Sequence, residues 1–253
     1  MINLISKKWT LKNIDTVLFD KDGTFIDLHY FWGKMTEMRA LEVIKRFNIQ
    51  QSHFALLCEI LGYDINSERM LSDGITALYS RVKIIEIFRE KLKDFGINAS
   101  EEDITKIFDD VSTEFYKDIE KYTKPIEEAI DFIKKLREKG VKIGIVTSDS
   151  VESTKLTLKN FKWETLFDVV IGRESTKETK ESGFPTKLAL ENLNSKPENT
   201  VMIGDAPMDY ISAKNAGIDS VILVATGQLT CEELNQTSEL VLESLGELEC
   251  LMI

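Results

Sequence analysis

The chain has little with which to do imidazole or thiol chemistry. Histidine occurs only at His29 and His53, and cysteine only at Cys58, Cys231 and Cys250, with no CxxC spacing. Two imidazoles are too few for most His-rich metal sites, and any His-based triad must use one of them. Scattered thiols in odd number fit a reducing compartment and not a zinc cluster. Long apolar runs are also missing: they reach at most five residues, as at Val221 to Ala225, too short to span a bilayer as a helix. No block of Lys or Arg is present, and 32 basic against 43 acidic side chains leave a formal charge of −11. Such a surface repels nucleic acid and anionic lipid, so any anionic substrate must be attracted locally, with help from a cation. Ile2, Leu4 and Ile5 precede Lys7 and Lys8, the reverse of a signal peptide's basic-then-apolar order. The expectation is a cytoplasmic protein with neither a nucleic-acid nor a membrane partner. Oligomeric state is not legible.

What is present is a globular composition. Of 253 residues 43% are apolar, which argues against disorder and suffices for a core without disulfide or metal staples. No repeat or low-complexity segment interrupts it. Residues 15–20 read as a short buried strand ending in a carboxylate. A helical stretch follows, about 31–121. Within it Ile75, Leu78, Val82, Ile85, Phe88, Leu92 and Phe95 predict one amphipathic helix, and Ile104, Ile107, Phe108, Val111, Phe115 and Ile119 a second. Ser100 can cap that second helix, with Asp103 three residues on.

From Pro125 the pattern alternates: helices near 126–139, 151–160, 185–193 and 208–217, and strands at 141–146, 169–171, 201–203 and 220–224. Strands alternating with helices mean βαβ units and a parallel sheet. The expected fold is α/β, a Rossmann-like parallel sheet flanked by helices, with an inserted all-helical domain. Residues 1–27 and 124–253 would form the core and 28–123 the insert.

Ligands of open parallel sheets bind outside the carboxyl ends of the strands. Here those ends carry Asp20-Lys21-Asp22-Gly23-Thr24, Thr147-Ser148-Asp149 and Gly204-Asp205, with Asp209 four residues later. Singly, each aspartate is readily a solvated helix cap. Gathered on one edge, Asp20, Asp22, Asp205 and Asp209 repel one another and need a proton or a cation. Oxygen ligands of this kind suit Mg²⁺.

These segments resemble the motifs of the haloacid dehalogenase superfamily. Asp20 to Thr24, with Phe19 before and Asp27 after, is similar to its DxDGT signature. Thr147 stands where the second motif closes an apolar strand, and Gly204 to Asp209 resembles GDxxxD. Ala213 and Ala216-Gly217 continue as in the phosphoglycolate-phosphatase-like branch, which also contains β-phosphoglucomutase. Lys180, 25 residues before Asp205 and shortly ahead of Pro185, stands for the motif lysine. Glu181 departs from the branch's KPxP loop, and Lys177 and Lys187 are rivals.

The resemblance implies a Mg²⁺-dependent phosphatase acting on a small phosphorylated metabolite. Asp20 would be the nucleophile and Asp22 the acid/base; Thr147, Ser148 and Lys180 would bind the phosphoryl oxygens. Asp20, Asp22 (through its backbone carbonyl), Asp205 and Asp209 would hold the metal. The 122 residues between Thr24 and Thr147, against 32 between Thr147 and Lys180, look like a cap inserted after the first motif. Caps of this kind close over small metabolites. A phosphomutase of the β-phosphoglucomutase type and a non-catalytic scaffold of the same fold remain alternatives. Lys21 should point away from Asp20 and Asp22 if the segment stays extended. His29, Tyr30, Phe31 and Trp32 fit a substrate entrance and a packed hinge equally well.

Overall fold

The computed structural model describes residues 1–252, and the chain divides into two compact units: Met1–Asp27 with Pro125 onward, and Leu28–Lys124. The first unit opens with β1 (Ile2–Ile5), β2 (Thr10–Ile14) and β3 (Thr16–Phe19). The second holds α1 (Leu28–Phe47), α2 (Phe54–Ile60), β4 (Tyr63–Asp64), β5 (Arg69–Met70), α3 (Ile75–Leu78), α4 (Arg81–Leu92) and α5 (Glu101–Lys117). The chain then returns to the first unit with α6 (Glu127–Glu138), β6 (Lys142–Val146), α7 (Val151–Asn160), β7 (Val169–Ile171) and α8 (Phe184–Leu193). It ends with β8 (Thr200–Gly204), α9 (Pro207–Asn215), β9 (Ser220–Val224), α10 (Cys231–Leu234), β10 (Val241–Leu242) and β11 (Glu249–Met252).

The main sheet has six parallel strands in the order β10-β9-β8-β3-β6-β7. Its central strands β3 and β8 are buried along their whole length, as expected where helices cover both faces of a parallel sheet. The α/β expectation therefore holds, and the strand positions fall within a residue or so of those read from the sequence. The order reverses about β3, and a crevice opens at the carboxyl ends of strands on either side of such a reversal. One face is packed with Leu18, Val146, Ile171, Leu190, Met202, Leu223 and their neighbours. A separate antiparallel sheet, β11-β1-β2, was not anticipated.

The helical unit departs from expectation in two places. The helix expected through 75–95 is broken: α3 stops at Leu78, Tyr79 is extended (φ −124°, ψ 155°), and α4 starts at Arg81. Leu78 and Val82, which the periodicity put on the buried face, are exposed. The insert also contains a short antiparallel ribbon, β4–β5. The capping box at α5 is as expected: the Ser100 hydroxyl accepts from the Asp103 N–H at 3.1 Å, and Asp103 accepts from the Ser100 N–H at 2.9 Å. The core of this unit is aromatic, with Phe31, Phe88, Phe108 and Phe115 fully buried. Phe31 meets Phe115 edge-on at 5.0 Å, so at this position the packed reading holds. His29 accepts the Met70 N–H on Nδ1 at 3.0 Å. No helix among the described residues is long and apolar enough to cross a membrane.

Candidate active site

The carboxyl ends of β3, β6 and β8 bring the expected residues of the first unit to one sheet edge. Asp20 follows β3 directly, and its N–H still bonds Ile203 O at 2.8 Å, so the ladder ends on the aspartate. Beyond it the chain turns sharply: Lys21 O accepts the N–H groups of Thr24, Phe25 and Ile26. Gly23 has φ 85°, a left-handed conformation that only glycine adopts without strain. Thr226, in the loop after β9, fixes this turn by donating its hydroxyl to Gly23 O at 2.6 Å.

Asp20, Asp205 and Asp209 are buried, and each offers a carboxylate oxygen within 4.8 Å of the others. Lys180 stands among them, its Nζ 2.5 Å from Asp20 Oδ1 and 2.6 Å from Asp209 Oδ1. The other oxygen of Asp209 accepts the N–H groups of Asp205 and Ala206, at 3.1 and 3.0 Å, which ties it across the start of α9. Lys177 and Lys187 are exposed, and Lys187 lies over the Phe184 ring instead. Among the three candidate lysines, Lys180 alone reaches the carboxylates.

The charge balance of this cluster is unfavourable as it stands. One ammonium faces three carboxylates in a desolvated place. Burial, opposed by Lys180 and reinforced by Asp209, pushes Asp20 from 3.8 up to about 7. Burial, together with Asp20 and Asp209, holds Asp205 well above the usual carboxylate range. Burial alone would lower Lys180, but Asp20 and Asp209 outweigh it and raise the ammonium. A hard divalent cation fits this donor set, since it takes oxygen ligands and supplies the missing positive charge. The backbone leaves room for it to stay open: a Cβ on Gly227 would collide with Asp205 Oδ2, and one on Gly204 with Asp209.

The remaining expected residues are near the edge but placed differently. Thr147 follows β6 directly, and its buried hydroxyl accepts the Asp149 N–H at 3.1 Å. Ser148 is exposed, with its hydroxyl 3.7 Å from Met208 Sδ. The Asp22 carboxylate lies outside the buried triad; Lys21 holds it at 2.7 Å.

Lys21 contradicts the expectation that it points away from the aspartates. It is fully buried and bridges Asp22 Oδ1 at 2.7 Å and Asp149 Oδ2 at 3.0 Å. Alternation ends where β3 ends, at Phe19, so the turn carries Lys21 to the same side as Asp22. Burial would lower its pKa, but Asp22 and Asp149 raise it. Asp149 is depressed in return, mainly by Lys21 acting against its own burial. Lys21, Asp149, Thr226 and Gly227 are the residues whose placement sequence reasoning missed. The first two sit inside recognised segments, whereas the loop after β9 carries no pattern that would have flagged it.

Residues 17–223 match the family model described as haloacid dehalogenase-like hydrolase. The chain belongs to this family. The match runs from the second residue of β3 to within one residue of the end of β9, so it takes in Asp20, Lys180, Asp205 and Asp209 but stops short of Thr226 and Gly227. A relative from Caldanaerobacter subterraneus subsp. tengcongensis, provisionally named pyrophosphatase PpaX, is 32% identical over 212 residues, 82% of this chain and 80% of that one. Pyrophosphatase PpaX of Bacillus mycoides is 27% identical over 82% of each chain. Among solved structures, a Thermotoga maritima protein provisionally assigned as β-phosphoglucomutase superposes with a TM-score of 0.69 at 20% identity, covering 92% of this chain and 96% of that one. That likeness concerns the fold. This haloacid dehalogenase-like hydrolase is thus an enzyme whose relatives include named pyrophosphatases.

Proposed function

We propose that the chain is a Mg²⁺-dependent phosphatase that hydrolyses a small phosphorylated metabolite through an aspartyl-phosphate on Asp20. The observation that carries this reading is the buried triad Asp20, Asp205 and Asp209 around the ammonium of Lys180. An anionic phosphate resists an anionic nucleophile, so catalysis rests on positioning and charge neutralisation. Asp20 attacks phosphorus while the ester P–O bond breaks. Asp22 gives a proton to the departing oxygen, then takes one from the water that attacks the aspartyl-phosphate, releasing inorganic phosphate and Asp20. Lys180 serves the transferring oxygens as a point charge, and Thr147 offers a hydroxyl after β6, with Ser148 exposed next to it. When bound, Mg²⁺ would lower the charge repulsion between Asp20 and the phosphoryl group; Asp20, Asp205, Asp209 and the Asp22 carbonyl would hold it. In this reading, selection of the substrate falls to the helical unit, and the enzyme works in the cytoplasm without nucleic acid or membrane.

The test is phosphate release from a panel of phosphomonoesters and inorganic pyrophosphate, with Mg²⁺ and with EDTA. The named activity of the PpaX relatives puts pyrophosphate on the panel. Metal-dependent release of phosphate with no isomerised product is expected. No release from any member would contradict the reading, and isomerised sugar phosphate would replace it with a mutase.

A further inference from the structure

The helical unit contains a buried arginine that no carboxylate among the described residues neutralises. Arg39, in the middle of α1, is 5% exposed, and its Nε donor has no acceptor. Buried arginines ordinarily sit against a carboxylate, because a desolvated charge left alone is costly. Here the guanidinium lies over the Phe108 ring, 4.2 Å from its centroid, and Arg81 approaches the same ring at 5.9 Å. Asp109 does not serve Arg39; it pairs with Arg81 at 2.5 Å. Burial and the like charge of Arg81 push Arg39 down to about 9, which still leaves it cationic at neutral pH. One turn earlier, Thr36 is also fully buried with a partnerless hydroxyl. Residues three apart share a helix face, so two orphaned buried donors lie side by side on α1.

We propose that Arg39, Thr36 and Arg81 form an anion-binding site in the helical unit, which takes the phosphate or carboxylate group of a small molecule. A guanidinium fork matches both groups with paired N–H bonds, and the Thr36 hydroxyl adds a donor. The bound anion supplies the negative charge that Arg39 lacks, while Arg81, already paired with Asp109, adds a second guanidinium beside the same ring. This inference goes beyond the phosphatase reading and does not need it, because the site lies on residues that the chemistry at Asp20 does not use.

The experiment is thermal melting of the full chain in EDTA, with sodium phosphate or acetate against chloride at equal ionic strength. The wild type should show a saturable rise in Tm, about 5–10 °C at a hundredfold excess of anion over Kd. Arg39→Met should melt no lower than wild type in chloride, since it removes an uncompensated buried charge, and should lose the anion-dependent rise. Arg39→Lys keeps the charge without the fork and should weaken anion binding about tenfold by calorimetry. Thr36→Val should weaken it several-fold. No saturable effect in wild type, or equal anion affinity in wild type, Arg39→Lys and Thr36→Val, would overturn the proposal, whether or not Arg39→Met folds.

Discussion

Replacing Lys21 by Met tests the reasoning about buried charge at the sheet edge. Methionine keeps most of the buried stem and removes the ammonium that sits 2.7 Å from Asp22 and 3.0 Å from Asp149. Asp149 is then left as a desolvated carboxylate with its cation gone. Breaking a buried pair by removing one partner costs about 3–5 kcal/mol. At about 2–4 °C per kcal/mol for a chain of this size, Tm should fall by about 6–20 °C. Circular dichroism melts at pH 7 read this directly, and urea midpoints check it. Asp149→Asn in the Lys21→Met background should recover a large part of the loss, because the stranded charge is gone. The pH dependence has a definite sign. The folded pKa of Asp149 is depressed, so its contribution is present above its unfolded value of 3.8 and lost as pH falls through the folded value. The gap between wild type and Lys21→Met should therefore narrow as pH falls below 3.8 towards the folded value. A variant within about 1 kcal/mol of wild type at pH 7, or no rescue by Asp149→Asn, would refute the reasoning.

Other outcomes follow from the same geometry. Gly227→Ala drives a methyl group into Asp205 and should cost about 10–100-fold in Mg²⁺ affinity or kcat, measured by metal titration of activity; unchanged kinetics would contradict the contact. Lys180→Met should lower kcat by about 100-fold or more, while Lys177→Met and Lys187→Met stay within about twofold, because only Lys180 reaches the carboxylates. Metal-free protein should lose stability as pH rises from about 4 through 7. Burial raises Asp20 to about 7, so the native state favours its protonated form, and the rise of about three units corresponds to on the order of 4 kcal/mol. The gain in Tm on adding Mg²⁺ should accordingly be larger at pH 8 than at pH 5, and equal gains would count against the metal site.

The residues that were legible in the sequence are those tied to regular periodicity. The buried strands ending in Asp20, Thr147 and Gly204-Asp205 could be placed because apolar runs alternate with helices, and strand ends of a parallel sheet converge. Lys21 escapes the alternation because β3 ends at Phe19 and the chain enters a turn held by hydrogen bonds to the Lys21 carbonyl. Thr226 and Gly227 were invisible because their role is a backbone approach across distant sequence, which leaves no local pattern. The break at Tyr79 was hidden by an apolar spacing that runs through it unbroken, although Leu78 and Val82 are exposed. Arg39 carries no mark in the sequence pattern; only packing against Phe108 shows it as buried.

The central claim is that phosphoryl groups pass through the carboxylate of Asp20. Rapid acid quenching of a single turnover with ³²P-labelled substrate, followed by peptide mapping, tests it most directly. The account predicts a transient, hydroxylamine-sensitive label on the peptide containing Asp20, absent in Asp20→Asn. Phosphate release with no covalent label at any time, or a label on another residue, would contradict it.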